Sequence, residues 1–266
     1  MNDSLLLEVT DGVATVILNR PKSLNALSGD MKEAFSEVVP RLAEDDGVRC
    51  VVIRGAGEHF MAGGDLKGFH ELMGEPSEAR RAHFRETIGN LHPNIVALRT
   101  MPKPVVASVR GAAAGFGLSL VMAADLAIAA DDAFFTLAYC RIGTTPDGGG
   151  SFHLPRIVGL RKAMEIAMLG DRFDAKTAHA LGLVNTLVPA AELEAETEKL
   201  ARRLADGPAE AIGRTKALLM RSFDSTLEEQ LAAERESFAA CASTPDFAEG
   251  VTAFVEKRAA KFGGKP

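Results

Sequence analysis

The residue with the clearest potential for chemistry is Asp147, in the stretch RIGTTPDGGG from Arg141 to Gly150. A carboxylate placed beside a substrate carbon can remove a proton and return it elsewhere, which is general acid–base catalysis. Pro-Asp-Gly is also ordinary turn chemistry, because proline presets φ, the aspartate bonds to nearby backbone and glycine tolerates positive φ. On this decapeptide alone both interpretations stand, and the rest of the chain has to decide between them.

Two glycine-rich loops could supply a second kind of chemistry. EHFMAGGDL follows the apolar run CVVIRG, and RGAAAGFGLSL follows VVAS. Small residues let a backbone approach a ligand, and the unpaired N–H groups at the start of a helix can hold a phosphate or an oxyanion. Neither loop matches GxxxxGK[ST] or a proper GxGxxG, so nucleotide binding of the P-loop or Rossmann type is disfavoured. The alternative for each loop is a tight strand-to-helix connection without a ligand.

The pattern of elements around these loops predicts an α/β fold. LLLEVTDGVATVILNR predicts a hairpin around Asp11-Gly12, and Ser28 predicts the N-cap of a helix that Pro40 interrupts. Buried strands at CVVIRG and VVASVRG flank a long helix over residues 77–100. A loop, a short buried helix and two strands follow, then a helix capped by Gly170 and another started by Asp174. Residues 190–261 are predicted to be almost all helix, which indicates an α/β core followed by a helical C-terminal part.

Composition sets the limits on function. The 266 residues are 47% hydrophobic and 25% charged, with 30 basic and 36 acidic residues and a formal charge of −6. This balance fits one large globular domain and lacks the basic footprint of a nucleic-acid-binding protein. The three cysteines have no CxxC spacing, which disfavours a zinc site or a disulfide framework. The start of the chain lacks a signal-peptide pattern, and charges interrupt the apolar region near residues 105–130, so we expect a cytoplasmic protein without a membrane span.

Taken together, the motifs resemble the enoyl-CoA hydratase/isomerase (crotonase) superfamily. The resemblance spans about residues 5–262 and rests on LNRPKSLNALS, VVIRGAGEHFMAGGDL, PVVASVRGAAAGFGLSLVMAADLAIAADDAFF, RIGTTPDGGGSFHLPRIVG and MEIAMLGDRFDAKTAHALGLVN, in that order. It implies a spiral core of ββα turns with an acyl-CoA site over residues 1–195. Residues 196–266 would then be a helical region that makes the contacts of a homotrimer or of a hexamer of two trimers.

The resemblance also implies the parts of an acyl-CoA site. Two backbone N–H groups, those of Ala62 and Phe116 by motif match, would form an oxyanion hole for the thioester oxygen, each worth about 3–4 kcal/mol. Coenzyme A is then part of the substrate, and neither a metal nor a separate cofactor is required. The residues implied in acyl-CoA binding are Leu24, Ala26, Ala62, Gly63, Asp65, Leu66, Tyr139 and Lys257. The alternatives are a helix N-cap for Asp65 and a solvated helix residue for Lys257, whose implied CoA contact often comes from a neighbouring subunit.

The sequence departs from the hydratases of this superfamily at both of their catalytic glutamates, where it has Ser119 and Tyr139. A serine hydroxyl is too weak a base near neutral pH, and a tyrosine is normally protonated there. Asp147, by contrast, matches the catalytic aspartate of dienoyl-CoA isomerases, of ring-opening isomerases of phenylacetate degradation and of 4-chlorobenzoyl-CoA dehalogenases. The surrounding motif most resembles the phenylacetate-pathway isomerases.

These matches favour an acyl-CoA isomerase that shifts a double bond or opens an epoxide-type ring through Asp147. The alternatives are an enoyl-CoA hydratase with non-standard catalytic residues, a dehalogenase, which the glycines after Asp147 disfavour, and a non-catalytic CoA-binding protein. Tyr139 either contacts substrate or orders the core. His83 and His92 are expected to be exposed helix residues, with a second acid–base role as the alternative, and His153 is expected to be structural.

Overall fold

The computed structural model of the chain describes residues 3–263, so residues 1–2 and 264–266 of the two predicted regions lie outside it. Its strands are β1 Leu5–Thr10, β2 Val13–Leu18, β3 Cys50–Gly55, β4 Val105–Val109, β5 Ala112–Ala114, β6 Leu126–Ala130, β7 Phe134–Thr136, β8 Phe173–Asp174 and β9 Thr186–Val188. Its helices are α1 Gly29–Glu44, α2 Leu66–Glu71, α3 Ser77–Thr100, α4 Phe116–Ala123, α5 Gly150–Val158, α6 Leu160–Leu169, α7 Ala175–Ala180, α8 Leu193–Ala205, α9 Ala209–Arg221, α10 Leu227–Ala242 and α11 Pro245–Glu256.

The strands form two sheets that the chain visits alternately. The larger sheet has the order β1-β2-β3-β4-β6-β9, parallel except for the β1–β2 hairpin, and the smaller has the order β5-β7-β8. After β3 the chain crosses to the smaller sheet, where Met61 forms a bridge to Ala113. It crosses again after β4, to form β5, and after β6, to form β7. Helices follow each of these three crossings before the chain returns to the larger sheet. This repeat of strand, strand and helix is the predicted ββα spiral.

The central strands β3 and β4 of the larger sheet are buried on both faces, as parallel strands usually are. Along β3, Val51 and Ile53 belong to the main core, whereas Cys50 and Val52 belong to a second, smaller core beneath α8. Ser108 of β4 reaches the same helix and bonds to Thr197 across 2.8 Å between the two hydroxyl oxygens. The division predicted at residue 195 lies inside α8 and stays a prediction.

The local signals of the sequence hold for most elements. Asp11 and Gly12 turn the β1–β2 hairpin with positive φ at both residues, and the Ser28 hydroxyl caps α1 by accepting from the Met31 N–H. The prediction that Pro40 interrupts α1 is wrong. Pro40 is exposed on a helix that buries six apolar residues, so packing offsets the lost hydrogen bond.

Two further boundaries differ from the predictions. The segment before α4, expected to be a loop, contains β5, because three alanines are small enough to pair between Met61 and β7. The last helix ends at Glu256 rather than near residue 261, because Lys257 adopts a left-handed conformation that ends α11. Across residues 3–263, no helix has both the length and the apolarity that a membrane crossing requires.

Candidate active site

Asp147 lies in the loop between a 3₁₀ turn at Ala138–Ile142 and helix α5. Its carboxylate oxygen Oδ1 accepts a hydrogen bond from the Tyr139 hydroxyl. Burial raises the pKa of the Asp147 carboxyl, and this outweighs the bond from Tyr139 and the positive charges of His92 and Lys32, which lower it. The residue is therefore more than a turn residue, because turn chemistry needs neither burial nor a tyrosine partner.

Besides Tyr139 on the 3₁₀ turn, two helices carry charged groups that face Asp147. Lys32 extends from α1, where burial lowers the pKa of its ammonium group and the Asp147 charge opposes that shift. His92 extends from α3 and is exposed, as is His83, which packs edge-to-face on Phe84. The expectation of exposed histidines on this helix is confirmed. Lys32 is a site residue that the sequence did not reveal, since a lysine inside an amphipathic helix carries no signal of what it faces.

Gly148 and Gly149 adopt positive φ, and all three glycines after Asp147 are closely packed. A methyl group at Gly148 would lie 2.7 Å from a ring carbon of Phe116, and one at Gly150 would lie 2.7 Å from the Ser119 hydroxyl oxygen. At Gly149 it would lie 3.0 Å from the ring of His153. The GGG run therefore presses the Asp147 loop against the start of α4.

Replacing Gly148 with alanine tests this close packing. Gly148 and Gly143 both have positive φ, but a methyl group at Gly143 would meet nothing within 4 Å. We expect Gly143→Ala to lower the free energy of unfolding by about 1 kcal/mol, the cost of the left-handed conformation alone. Gly148→Ala should lose about 3 kcal/mol because overpacking against Phe116 is added. Urea denaturation of the two variants measures the difference, and equal losses would contradict the packing argument.

The two glycine-rich loops lie against each other, as an oxyanion site requires. The Ala114 N–H donates to the Met61 carbonyl oxygen at 2.9 Å, and a methyl group at Gly115 would lie 3.5 Å from Gly63 Cα. Phe116 is the first residue of α4, whose first intrahelical bond runs from the Ser119 N–H to the Gly115 carbonyl. Among the backbone bonds of residues 3–263, the Phe116 N–H has no acceptor. It is therefore available to a ligand.

The predicted second donor, Ala62, is already engaged. Its N–H donates to the Leu24 carbonyl oxygen at 3.0 Å, so its hydrogen is not free to hold a thioester oxygen. This contact contradicts the assignment of Ala62. The adjacent Gly63 carbonyl accepts from the Leu27 N–H at 2.8 Å. Because a trans peptide points its C=O and N–H in opposite directions, the Gly64 N–H points away from Leu27, and no backbone acceptor for it is found within the described residues.

Asp65 organises the segment that the resemblance assigns to acyl-CoA binding. It caps α2 by accepting from the Gly68 N–H, and it pairs with Arg20 at 3.0 Å. Partial burial opposes ionisation, but these two hydrogen bonds hold the pKa of the Asp65 carboxyl below its usual range. Arg20 also donates to the Ala26 carbonyl oxygen at 2.6 Å. The N-cap alternative for Asp65 is thus observed, together with an ion pair that orders the loop.

The remaining predicted binding residues are either exposed or already part of the groups described above. Leu24, which has a left-handed backbone, and Leu66, at the start of α2, expose about half of their side chains, at 45% and 53%. Tyr139 is buried beside Asp147, and Gly63 lies in the apposed loops. Lys257 is exposed at the end of α11, and its implied role stays a prediction because it involves a neighbouring subunit.

His153 is a buried residue of α5, as expected for a structural role. Burial, together with the smaller effect of the nearby positive charges of Arg99 and Arg156, lowers the pKa of its imidazole to about 4. His153 is therefore neutral at physiological pH. It packs beside Gly149 and takes no part in the group around Asp147.

Fold and site together define an α/β protein in which two apposed glycine-rich loops lie beside one partly buried carboxylate. This arrangement is suited to holding an oxyanion and moving a proton. The chain matches the enoyl-CoA hydratase/isomerase family over residues 8–265. It therefore belongs to that family and is one of its enzymes, with the crotonase fold that the sequence motifs implied.

Three relatives illustrate the range of activities. The chain is 35% identical over 265 residues to the 1,2-epoxyphenylacetyl-CoA isomerase of Escherichia coli (strain K12), covering 100% of both chains. It is 33% identical to the trans-2-decenoyl-[acyl-carrier-protein] isomerase of Streptococcus mutans, covering 98% of each. The crystal structure of an enoyl-CoA hydratase from Polaromonas sp. JS666 superposes with a TM-score of 0.90 at 35% identity, covering 97% of this chain and 98% of the other. Isomerases and hydratases are thus about equally similar to this chain.

Proposed function

We propose that this protein is an acyl-CoA isomerase, which shifts the double bond of an enoyl-CoA or isomerises an epoxyphenylacetyl-CoA-type ring. The observation that carries the proposal is the partly buried carboxylate of Asp147, held by Tyr139 and packed through Gly148 against the residue that starts α4. One carboxylate suffices for an isomerisation, because it can take a proton from one carbon and return it to another.

The oxyanion would be held by the N–H groups of Phe116 and Gly64. Negative charge develops on the thioester oxygen as the proton leaves, and each preorganised donor stabilises that charge by about 3–4 kcal/mol. Gly64 replaces Ala62 in this role because the Ala62 N–H is bonded to Leu24. The proposed reaction needs no metal and no redox cofactor, since the thioester itself makes the neighbouring carbons acidic.

Hydration by this chain is the second candidate, supported by its similarity to an enoyl-CoA hydratase over nearly the whole chain. Addition of water needs one group to activate the water and another to protonate the α-carbon. Tyr139 contacts Asp147, and Ser119 contacts Tyr139, but neither can replace a hydratase glutamate. Ser119 is only a hydroxyl, and burial raises the pKa of the Tyr139 phenol further above neutral pH. This composition favours isomerisation over hydration.

A paired assay of the purified protein tests the proposal. One reaction contains a 2-enoyl-CoA and follows loss of the conjugated thioester absorbance, and the other contains a 3-enoyl-CoA and follows its gain. We expect gain without loss, because Ser119 and Tyr139 occupy the positions where hydratases of the family carry their two glutamates. Hydration as the main activity would contradict the proposal. Inactivity in both reactions and with a panel of phenylacetyl-CoA derivatives, despite CoA binding, would favour a non-catalytic binding protein.

We further propose that the chain assembles as a homotrimer or as a hexamer of two trimers. The support is a set of exposed apolar side chains on the last helices, of which Phe254 at 86%, Val255 at 74% and Phe238 at 70% are the most exposed. Sedimentation should give three or six times the 28.2 kDa of one chain. Phe254→Glu should shift the population toward smaller species if α11 forms a subunit contact, and a wild-type monomer would refute the assembly.

A further inference from the structure

Asp147 is the last of three side chains that are joined by hydrogen bonds and come from three different elements. The Ser119 hydroxyl oxygen on α4 lies 3.3 Å from the Tyr139 hydroxyl, and Tyr139 donates to Oδ1 of Asp147. Ser119 is fully buried and Tyr139 is 9% exposed. The two hydrogen bonds join the three side chains directly, without an intervening water molecule.

The donor and acceptor of each hydrogen bond follow from the number of hydrogens available. A phenol has a single O–H hydrogen, and that of Tyr139 is given to Asp147. The contact between Tyr139 and Ser119 must then be donated by Ser119. Both hydrogen bonds therefore point toward the carboxylate, and aligned bonds of this kind strengthen one another. Burial raises the pKa of the Tyr139 phenol, and the Asp147 charge raises it further, so Tyr139 stays a donor across the physiological range.

The surroundings prevent the carboxylate from changing its partner. Gly150 packs against the Ser119 hydroxyl and Gly148 against Ser119 Cβ, so the backbone on the C-terminal side of Asp147 is fixed against the same serine that holds Tyr139. Oδ1 therefore stays hydrogen-bonded to Tyr139. No described side chain donates a hydrogen bond to the other carboxylate oxygen of Asp147, Oδ2.

We propose that Tyr139 is a positioning residue that fixes Asp147 with Oδ2 as the oxygen that exchanges the proton with substrate, and that Ser119 holds Tyr139 in place. This inference rests on the proposed isomerase function. The C–H bond of the substrate breaks as Oδ2 takes the proton, and its electrons move into the enolate. The O–H bond formed on Oδ2 then breaks as the proton passes to a second carbon of the substrate. The proton of Tyr139 is not transferred in either step.

The pH dependence of catalysis should report this arrangement. The groups that face Asp147 are Tyr139 from the 3₁₀ turn, His92 from α3 and Lys32 from α1, and each of them lowers the carboxyl pKa that burial raises. Tyr139→Phe removes one of these opposing contributions, so the pKa of Asp147 should rise further. The acid limb of kcat/KM, where the base becomes protonated, should move to higher pH. A His92→Gln background keeps an imidazole titration from being mistaken for that of Asp147.

The test compares Tyr139→Phe and Ser119→Ala with a matched control, Ser108→Ala, in an isomerase assay. Ser108 is also a buried serine bonded to another hydroxyl, but it faces α8 on the far side of the larger sheet. We expect kcat to fall about tenfold or more in Tyr139→Phe, the value of one hydrogen bond to a charged group, with KM nearly unchanged. Ser119→Ala should change kcat in the same direction by less. Ser108→Ala should lower Tm without changing kcat or the acid limb.

A titration of the free protein separates this inference from the proposed function. Selective ¹³C labelling of aspartate, with Asp147→Asn to assign the resonance, gives the titration midpoint of the Asp147 carboxyl without any substrate. We expect that midpoint to rise in Tyr139→Phe. An unchanged midpoint, or unchanged kcat and acid limb in that variant, would overturn the role of Tyr139. If the wild-type protein has no isomerase activity but the midpoint rises in Tyr139→Phe, the proposed function and the role of Oδ2 in proton exchange are overturned, and only the hydrogen bond between Tyr139 and Asp147 is supported.

Discussion

Asp147→Asn is expected to lower kcat for enoyl-CoA isomerisation about a thousandfold, within the range that a positioned general acid–base supplies. Asparagine has nearly the same shape and can still accept the Tyr139 hydrogen bond on Oδ1. It cannot take up a proton near neutral pH, so only the proton transfer is lost. KM should change by less than about threefold, because the oxyanion donors and the loop conformation are retained.

The sign of the pH dependence follows from the pKa of Asp147. The active form is the carboxylate, and burial raises the pKa, so kcat/KM should fall as the pH drops through that raised value. Asp147→Asn should abolish this acid limb along with the rate. Steady-state kinetics across pH measure both effects.

Asp171→Asn is the matched control for this experiment. Asp171 is an exposed aspartate whose partner is the exposed Arg141, and it lies outside the group around Asp147. Its substitution should leave the rate and the acid limb unchanged. Isomerisation at the wild-type rate by Asp147→Asn would show that another group is the base, and a similar loss in both variants would indicate a general effect on folding.

Asp125→Ala is expected to lower the free energy of unfolding by about 3 kcal/mol, because it leaves a buried cation without its counter-charge. Lys216 on α9 is 8% exposed, and its Nζ lies 2.7 Å from Asp125 Oδ2. Burial lowers the pKa of the Lys216 ammonium group, and the Asp125 charge opposes that shift. Asp125 also accepts from the Val105 N–H at 2.8 Å, so the variant leaves a strand donor unpaired. This pair links the C-terminal helices to the larger sheet.

The control is Asp132→Ala, which breaks a solvent-exposed ion pair. Arg110 and Asp132 are each 45% exposed and lie 3.3 Å apart. Pairs of this kind are worth less than about 1 kcal/mol, because water screens the charges and both side chains lose entropy on pairing. Urea denaturation at one fixed protein concentration compares the two variants. Equal losses would show that the Asp125–Lys216 pair contributes no more than a surface pair.

The sequence predicted best where local chemistry decides conformation. Asp11-Gly12 requires the positive φ of a tight turn, the Ser28 hydroxyl supplies an N-cap, and Gly170 accepts the left-handed conformation that ends α6. Each of these signals acts over a few residues, so neither packing nor topology could reverse it. Pro40 shows the limit of such signals, because the buried face of α1 is strong enough to carry the helix through it.

The direction of a backbone group cannot be predicted from residue types. The motif located the first glycine-rich loop, but which amide is free depends on bonds made by distant residues, Leu24 with Ala62 and Leu27 with Gly63. A trans peptide fixes N–H and C=O in opposite directions, so one such contact decides the availability of its neighbour. A second glycine in AGGD was the only signal in the sequence that could have suggested Gly64.

By itself, the sequence determined the α/β class, which follows from periodicity and turn residues, and the family with its spiral fold, which follow from motifs that occur in order along the chain. It also singled out Asp147 as the candidate acid–base group. Only the tertiary structure decided what surrounds Asp147. Ser119, Tyr139 and Asp147 lie on a helix, a 3₁₀ turn and a loop, and the hydrogen bonds that join them form only once the glycines after Asp147 pack against α4. Those contacts, and the burial that raises the pKa of Asp147, are properties of packing that neighbouring residues in the sequence do not encode.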